Sequence, residues 1–397
     1  MHTTYRLAAS LPWRIVHFLP AGLSVFAGVF FLTLTSLTAQ TVSDSSKTAK
    51  PPAKKWYETI SVRGYTQARY NRLLETNPDL KCEQCDRSWG ENGGFFLRRV
   101  RVIFFGQIGK RVYYYLQPDF ANAVSSSSGN FAQIRDAYFD IGVDKKNEFR
   151  FRIGQSKVPF GFENMQSSQN RLPLDRNDAL NSAVANERDL GIFFYWAPEK
   201  TRKLFSDLVR DGLKGSGDYG VFALGLYNGQ TANKPELNNE PHVVTRLSYP
   251  FQAGKQIIEA SLQAYTGTYT LAKDQVATNV RYQESRNYTD QRVAASFVLY
   301  PKPFGIQAEY MSYMTGLRDH ILVPYARYQY YRGGKKHETD ARSYEVSELE
   351  LGIEWQPVKQ FELVCAYTIS GRRFEDMQNP DNFQRGNLLR LQAQVNF

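Results

Sequence analysis

Residues 387–397 read NLLRLQAQVNF, and the fold turns on how this stretch is read. Leu389, Leu391, Ala393, Val395 and Phe397 alternate without a miss against Arg390, Gln392, Gln394 and Asn396. A period of two gives a strand one wholly apolar face and one wholly polar face. A strand of a soluble sandwich can share that pattern. A membrane barrel accounts for more of it: an apolar side for lipid, a polar side for a wet lumen, and a final aromatic at the interface. What decides between the two is whether the rest of the chain repeats the pattern.

Working back from this end, alternating segments recur from Glu58 onward, separated by Gly, Asn, Asp and Pro clusters. TISVRGYTQARY sets Ile60, Val62 and Ala68 against Arg63, Tyr65, Gln67 and Arg69. FFLRRVRVIFFGQ sets Val100, Val102 and Phe104 against Arg99 and Arg101. EFRFRIGQ sets Phe149, Phe151 and Ile153 against Arg150 and Arg152. Short connections (109–111, 144–147, 251–255, 301–304, 356–359) alternate with long polar ones (72–94, 121–130, 156–188, 228–241, 268–288, 372–385). That alternation is the mark of an antiparallel transmembrane β-barrel with brief turns at one end and loops at the other. Fifteen strands can be read directly. A barrel with both termini on one side needs an even number, so the reading is an all-β barrel of about 16 strands, with 14 as the fallback. The deficit lies between Tyr310 and Arg342. The one helical pattern after the N-terminal region is EKTRKLFSDLVRDGL, near 199–213.

At 397 residues the chain has room for one large domain or two to three ordinary ones. Its mean hydropathy of −0.48 argues against a bundle of membrane helices but not against a barrel with a polar lumen. The 25 Tyr and 26 Phe have a physical home in the aromatic girdles of such a barrel. Net charge is +10; Arg6 and Arg14 belong to a segment expected to be removed, which leaves +8 and, in a pore, favours anions. That segment, 1–39, reads as a secretory signal peptide: two arginines, an uncharged run from Ile15 to Leu34, and SLTAQ before a cut after Ala39. Leu37 is imperfect for the cut, and the run is long enough for a membrane anchor, the alternative. Residues 40–57 read as a flexible periplasmic leader, too polar to bury a core, and 58–397 as the outer-membrane barrel.

At this point FLRRVRVIFFGQIGKRVYYYLQPDF, IRDAYFDIG, FRIGQSKVPFGFE, ERDLGIFFYWAP, YNGQTANKPE and GNLLRLQAQVNF, in that order, resemble the phosphate-selective porin O and P family over about 58–397. The ending also resembles the terminal strand that barrel-assembly machinery recognises in Gram-negative outer-membrane proteins. The family resemblance implies a sixteen-stranded homotrimeric pore in outer-membrane lipid, with a constriction loop folded inward after the fifth strand. In this chain that loop is 156–188, and its length beside terse neighbours fits a loop with its own task. The resemblance also implies an anion-guiding row of arginines, carried over here to Arg99, Arg101, Arg150 and Arg152. The family's central lysine cluster has no evident counterpart; Lys157 is the candidate taken for it.

The expected pore-lining, anion-binding residues are therefore Arg63, Arg69, Arg99, Arg101, Arg150, Arg152 and Lys157. Arginine keeps its charge, and its planar fork matches phosphate or carboxylate oxygens two at a time. A row of such groups offers a permeating anion successive weak sites. Against this, Asp136, Asp140, Glu259, Glu309, Glu348, Glu350 and Glu354 have inward parity too, and a paired lumen would be only weakly selective. No cofactor or metal is expected. Cys82 and Cys85 form a CxxC with no second pair, which reads as a local disulfide or two free thiols, and Cys365 as a small hydrophobe on an apolar face. His242, His320 and His337 are too scattered for a metal cage or a Ser/His pair, and no GxSxG, P-loop or GxGxxG follows a strand. The secretory start argues against nucleic acid as a partner. The reading is a porin passing small solutes, chiefly anions such as phosphate, with no enzymatic step. The alternatives are a general weakly selective porin, a plugged structural barrel, or an outer-membrane hydrolase built on His242.

Overall fold

A computed structural model describes residues 55–80, 94–121, 132–276, 282–307, 310–313, 315–317, 320–334, 342–380 and 382–397. The predicted signal segment, Cys82, Cys85, Glu309 and His337 lie outside the described residues.

The strands are β1 (Ser61–Leu73), β2 (Gly94–Ile108), β3 (Val112–Asp119), β4 (Gln133–Gly142), β5 (Phe149–Lys157), β6 (Arg188–Trp196), β7 (Phe222–Tyr227), β8 (His242–Ala253) and β9 (Gln256–Thr270). They continue as β10 (Asn287–Leu299), β11 (Phe304–Gln307), β12 (Tyr310–Tyr313), β13 (Thr315–Leu317), β14 (His320–Gly334), β15 (Ser343–Val358), β16 (Phe361–Phe374) and β17 (Phe383–Asn396). All pair antiparallel in one sheet, and β17 pairs with β1, so among the described residues the ladder returns to its start. The seam runs from Leu73↔Leu389 to Tyr65↔Asn396 and is extended by Phe397. Gly64 N donates to Phe397 O at 2.7 Å, and Phe397 N donates to Gly64 O at 2.9 Å. Only a glycine fits there, since a Cβ on Gly64 would run into the backbone carbonyl of Arg101 as well as the Phe397 ring.

The strand that sequence reading could not find lies where the deficit was. GIQAEYMSY, read as one strand, is instead the hairpin of β11 and β12. β12 and β13 pair with β14 in one continuous register (Tyr310↔Arg327, Leu317↔His320), so the seventeen segments amount to sixteen strands, two of the segments being one interrupted strand.

Burial follows the period of two. On β17 Leu391 and Val395, and Phe397 just beyond it, are exposed while Arg390, Gln392 and Gln394 are buried; on β5 Phe149 and Phe151 are exposed while Arg150 and Arg152 are buried. The exposed row is apolar, so the outside suits lipid and the polar row faces the interior. Aromatic residues mark both ends of this outer face. Phe149 sits opposite Trp196 at the short-turn end, and Tyr70 meets Phe95 edge-on at 4.8 Å at the loop end. Cys365 is free and lies on the outer face of β16, between Leu363 and Tyr367.

Two connections fold inward. The first, 158–187, is the expected constriction loop and carries α1 (Phe162–Met165) and α2 (Asp178–Ala183), the latter capped by the Asn177 side chain accepting from Leu180 N at 2.9 Å. The second was not expected. Sequence alternation calls for terse turns at this end, but the β6–β7 connection runs from 197 to 221 and contains α3 (Glu199–Arg210), the helix the 3.6-residue pattern indicates. Pro198 precedes it, Glu199 opens it and Arg210 closes it, and Thr201, Phe205 and Leu208 form its buried stripe.

Candidate pore constriction

The constriction loop is held by apolar packing and by charge. Val158, Phe160, Leu180, Ala183 and Val184 pack on the inner faces of β6–β9 through Phe193, Tyr195, Tyr227, Val244 and Tyr265. Leu172 and Leu174 cross the lumen to Val323, Tyr325, Val364 and Ala366 on β14 and β16. Between these seats lies the Asp175 carboxylate, 2.9 Å from both Arg69 and Arg390 and 3.2 Å from Arg98. At the loop stem the Glu187 carboxylate takes four cations: Arg188 at 2.5 Å, Arg171 at 2.8 Å, and Arg176 and Lys157 at 3.3 Å. Burial pushes the Glu187 carboxyl upward, but these four cations overcome it and hold the group well below the usual carboxylate range.

The inward α3 connection meets this loop from the opposite end. Gln166 Nε2 donates to Lys214 O at 2.6 Å, and Lys214 Nζ reaches Glu354 on β15 at 2.5 Å. Phe162 of the loop, Leu208 and Leu213 of the α3 connection, and Ile257, Val298 and Tyr300 of the wall form one apolar cluster. The interior is thereby narrowed toward the β1–β5 wall, which bounds a cavity of about 660 Å³.

Of the seven predicted anion sites, Arg63, Arg101, Arg150, Arg152 and Lys157 line this cavity; Arg69 and Arg99 do not. Arg69 holds the loop through Asp175. Arg99 is buried with Nη1 donating to Gln67 Oε1 at 2.6 Å, and no carboxylate pairs with it among the described residues. The predicted guanidiniums are largely paired. Arg101 lies 2.7 Å from Asp119, Arg150 2.8 Å from Asp218, and Arg152 grips Asp140 through both oxygens at 2.7 and 2.8 Å. Arg63 has no carboxylate partner among the described residues and lies 5.0 Å over the Phe105 ring. Lys157 shares the parity of the outward Phe149 and Phe151, yet it is buried, because the chain has already turned inward; its Nζ donates to the carbonyls of Asn164 and Met165.

The inward acids are paired as well. Asp136 meets Arg188, Glu259 meets Arg246, Glu348 meets Arg372, and Glu350 meets both Arg390 and Arg327. Sequence reasoning missed Arg111, Arg188, Arg202 and Arg210, which also line the cavity. Arg111 was within reach, since it continues the alternation of Tyr113, Tyr115 and Gln117 by one step. In all, nine basic residues and three acidic ones border the cavity. His242, the residue on which a hydrolase would rest, is fully buried, 3.4 Å from Asp290, and neither ring nitrogen has a hydrogen-bond partner among the described residues.

The sequence model of the family described as phosphate-selective porin O and P matches residues 78–319, more than half of the chain. The chain belongs to that family. It is accordingly a porin of the outer membrane, and the strand ring and the inward loop are that porin's wall and constriction. No curated protein sequence matches this porin. Among solved structures, OmpF of Salmonella typhi, in complex with daunomycin, is similar at 9% identity and a TM-score of 0.48, covering 85% of this chain and 97% of its own. OmpT of Vibrio cholerae is similar at 11% identity and a TM-score of 0.44, with the same coverage. An anion-selective porin from Comamonas acidovorans is similar at 10% identity and a TM-score of 0.37, covering 85% of this chain and 99% of its own.

Proposed function

We propose that this porin passes small anions, phosphate among them, by diffusion through the cavity on the β1–β5 wall. The observation that carries the reading is the excess of nine basic over three acidic residues around that cavity. A like-signed lining within low-dielectric walls concentrates counter-ions and lowers the barrier to their entry. The guanidiniums act as weak successive sites: Arg101, Arg150 and Arg152 are each held in place by a carboxylate, which offsets part of the charge, so an anion binds without being trapped. Arg63, Arg101, Arg150, Arg152 and Lys157 are the residues proposed to meet it, with Arg69 and Arg99 supporting the constriction.

The pairing of five of the seven predicted cations with Asp or Glu favours a second reading, a general porin of weak selectivity. Planar-bilayer recording separates the two. Stepwise conductance with anion-favouring reversal potentials, and block of chloride current by millimolar phosphate, are expected; cation preference overturns the anion role, and anion preference without block leaves a general anion pore. The wider setting belongs to the same proposal: removal of residues 1–39 on export in a Gram-negative cell, insertion by the barrel-assembly machinery through β17, contact with outer-membrane lipid, and assembly as a homotrimer. Cross-linking in native membranes tests the trimer, and a monomer-only ladder refutes it.

A further inference from the structure

We propose that the cavity wall is built for anions that carry a flat ring, aryl phosphates or aryl carboxylates, in preference to bare inorganic anions; this rests on the anion-pore reading above. Along β3 and the residue just before it, Arg111, Tyr113 and Tyr115 follow at a spacing of two, and all three line the cavity. The register places further rings on either side. Phe105 of β2 and Tyr138 of β4 are both cross-strand partners of Tyr115. Phe105 and Tyr113 lie 6.5 Å apart, and Tyr115 and Tyr138 stack at 5.2 Å. Cations close both margins of this floor: Arg63 on β1, 5.0 Å over Phe105, and Arg152 on β5, 3.9 Å over Tyr138.

Part of this aromatic surface serves the protein itself. Tyr138 is engaged both by the stacked Tyr115 and by Arg152, so those rings fix a guanidinium. Tyr113 is different. Its hydroxyl has no hydrogen-bond partner among the described residues, and its one ring contact among them is the tilted Phe105. In the same lining stand Arg63, which lies over Phe105, and Arg111, whose Nη1 donates to Val143 O at 3.1 Å; neither has a carboxylate partner among the described residues. A ring-bearing anion can lay its apolar face on Tyr113 while its charged head meets these two guanidiniums. Bare phosphate uses the charges and leaves the ring idle, whereas an aromatic pair adds an attraction of its own.

The test is block of chloride current through the full-length porin in planar bilayers by phenyl phosphate, with methyl phosphate as the match in charge. Phenyl phosphate is expected to half-block at a concentration about tenfold lower than methyl phosphate, a factor in keeping with one aromatic contact. Tyr113→Phe keeps this preference and Tyr113→Leu abolishes it, while methyl phosphate blocks all three proteins alike, which shows the variants to be intact pores. Equal block by the two phosphates in an anion-selective native pore overturns this proposal alone, as does a preference that survives Tyr113→Leu. A pore that prefers cations, or no conductance, overturns the anion-pore reading and this proposal with it.

Discussion

Arg390 of the closing strand and Asp175 of the constriction loop lie 2.9 Å apart, though 215 residues separate them in the chain. Arg69 and Arg98 approach the same carboxylate, so one loop residue ties together β1, β2 and β17, the strands on either side of the barrel seam. Asp175→Asn removes the charge that Arg69, Arg98 and Arg390 share, although Arg390 keeps Glu350 at 2.6 Å; breaking a buried pair of this kind costs about 3–5 kcal/mol locally. The barrel strands do not depend on it, so the variant is expected to insert normally, with noisier current and a stronger anion preference. Reversal potentials and current variance in bilayers measure both; a quiet channel of unchanged selectivity would count against the tether.

The two faces of β17 predict opposite responses to the same added charge. Leu391 faces outward and Gln392 inward. Leu391→Arg places a guanidinium on the lipid face, at a cost of about 2–4 kcal/mol near the bilayer midplane. Gln392→Arg adds it to the polar interior; it removes the oxygen that accepts from Arg69 at 2.7 and 3.1 Å, but sets no charge in hydrocarbon and is expected to cost less. Urea titration of folding into lipid vesicles compares them, and equal losses would refute the assignment of faces.

Arg152 and Asp140 act as a unit. Arg152→Ala leaves the Asp140 carboxylate alone in the passage and is expected to shift the reversal potential toward cations and weaken phosphate block. Removing Asp140 as well restores net balance, so the double variant Arg152→Ala with Asp140→Ala should return most of the anion preference. Arg63→Ala has no such rescue, because no carboxylate pairs with Arg63 among the described residues. A double variant as cation-leaning as the single one would show that position, and not charge balance, sets the selectivity.

Glu187 makes a prediction about acid. In the free chain a glutamate titrates at about 4.3. In the folded loop, burial opposes the charge, yet Lys157, Arg188, Arg176 and Arg171 hold the carboxyl well below that range. A depressed folded value means the contribution is present above the free-chain value and is lost as pH falls through the folded one. The native constriction should thus show no step in conductance between pH 7 and 4.5. Glu187→Gln loosens the stem at every pH and should raise current noise throughout; a native step near pH 5 would contradict this account.

The sequence by itself determined the wall. A strand in lipid must alternate, and so Val395 and Gln394, or Phe151 and Arg152, declare their faces without any neighbour being known. It also marked the long loop after the fifth strand and the helix of the β6–β7 connection. It failed where the chain leaves the period of two: at the β11–β12 hairpin, read as one strand, and at Lys157, whose parity points outward while its amine lies buried in the loop stem. Above all it could not say which charges meet. Asp175 with Arg390, Glu187 with Arg171, and Lys214 with Glu354 come together only because two connections fold into one lumen, and contacts across a closed ring leave no periodic trace in the chain. Which lumen arginines stay free for a passing anion is therefore a property of the tertiary structure alone.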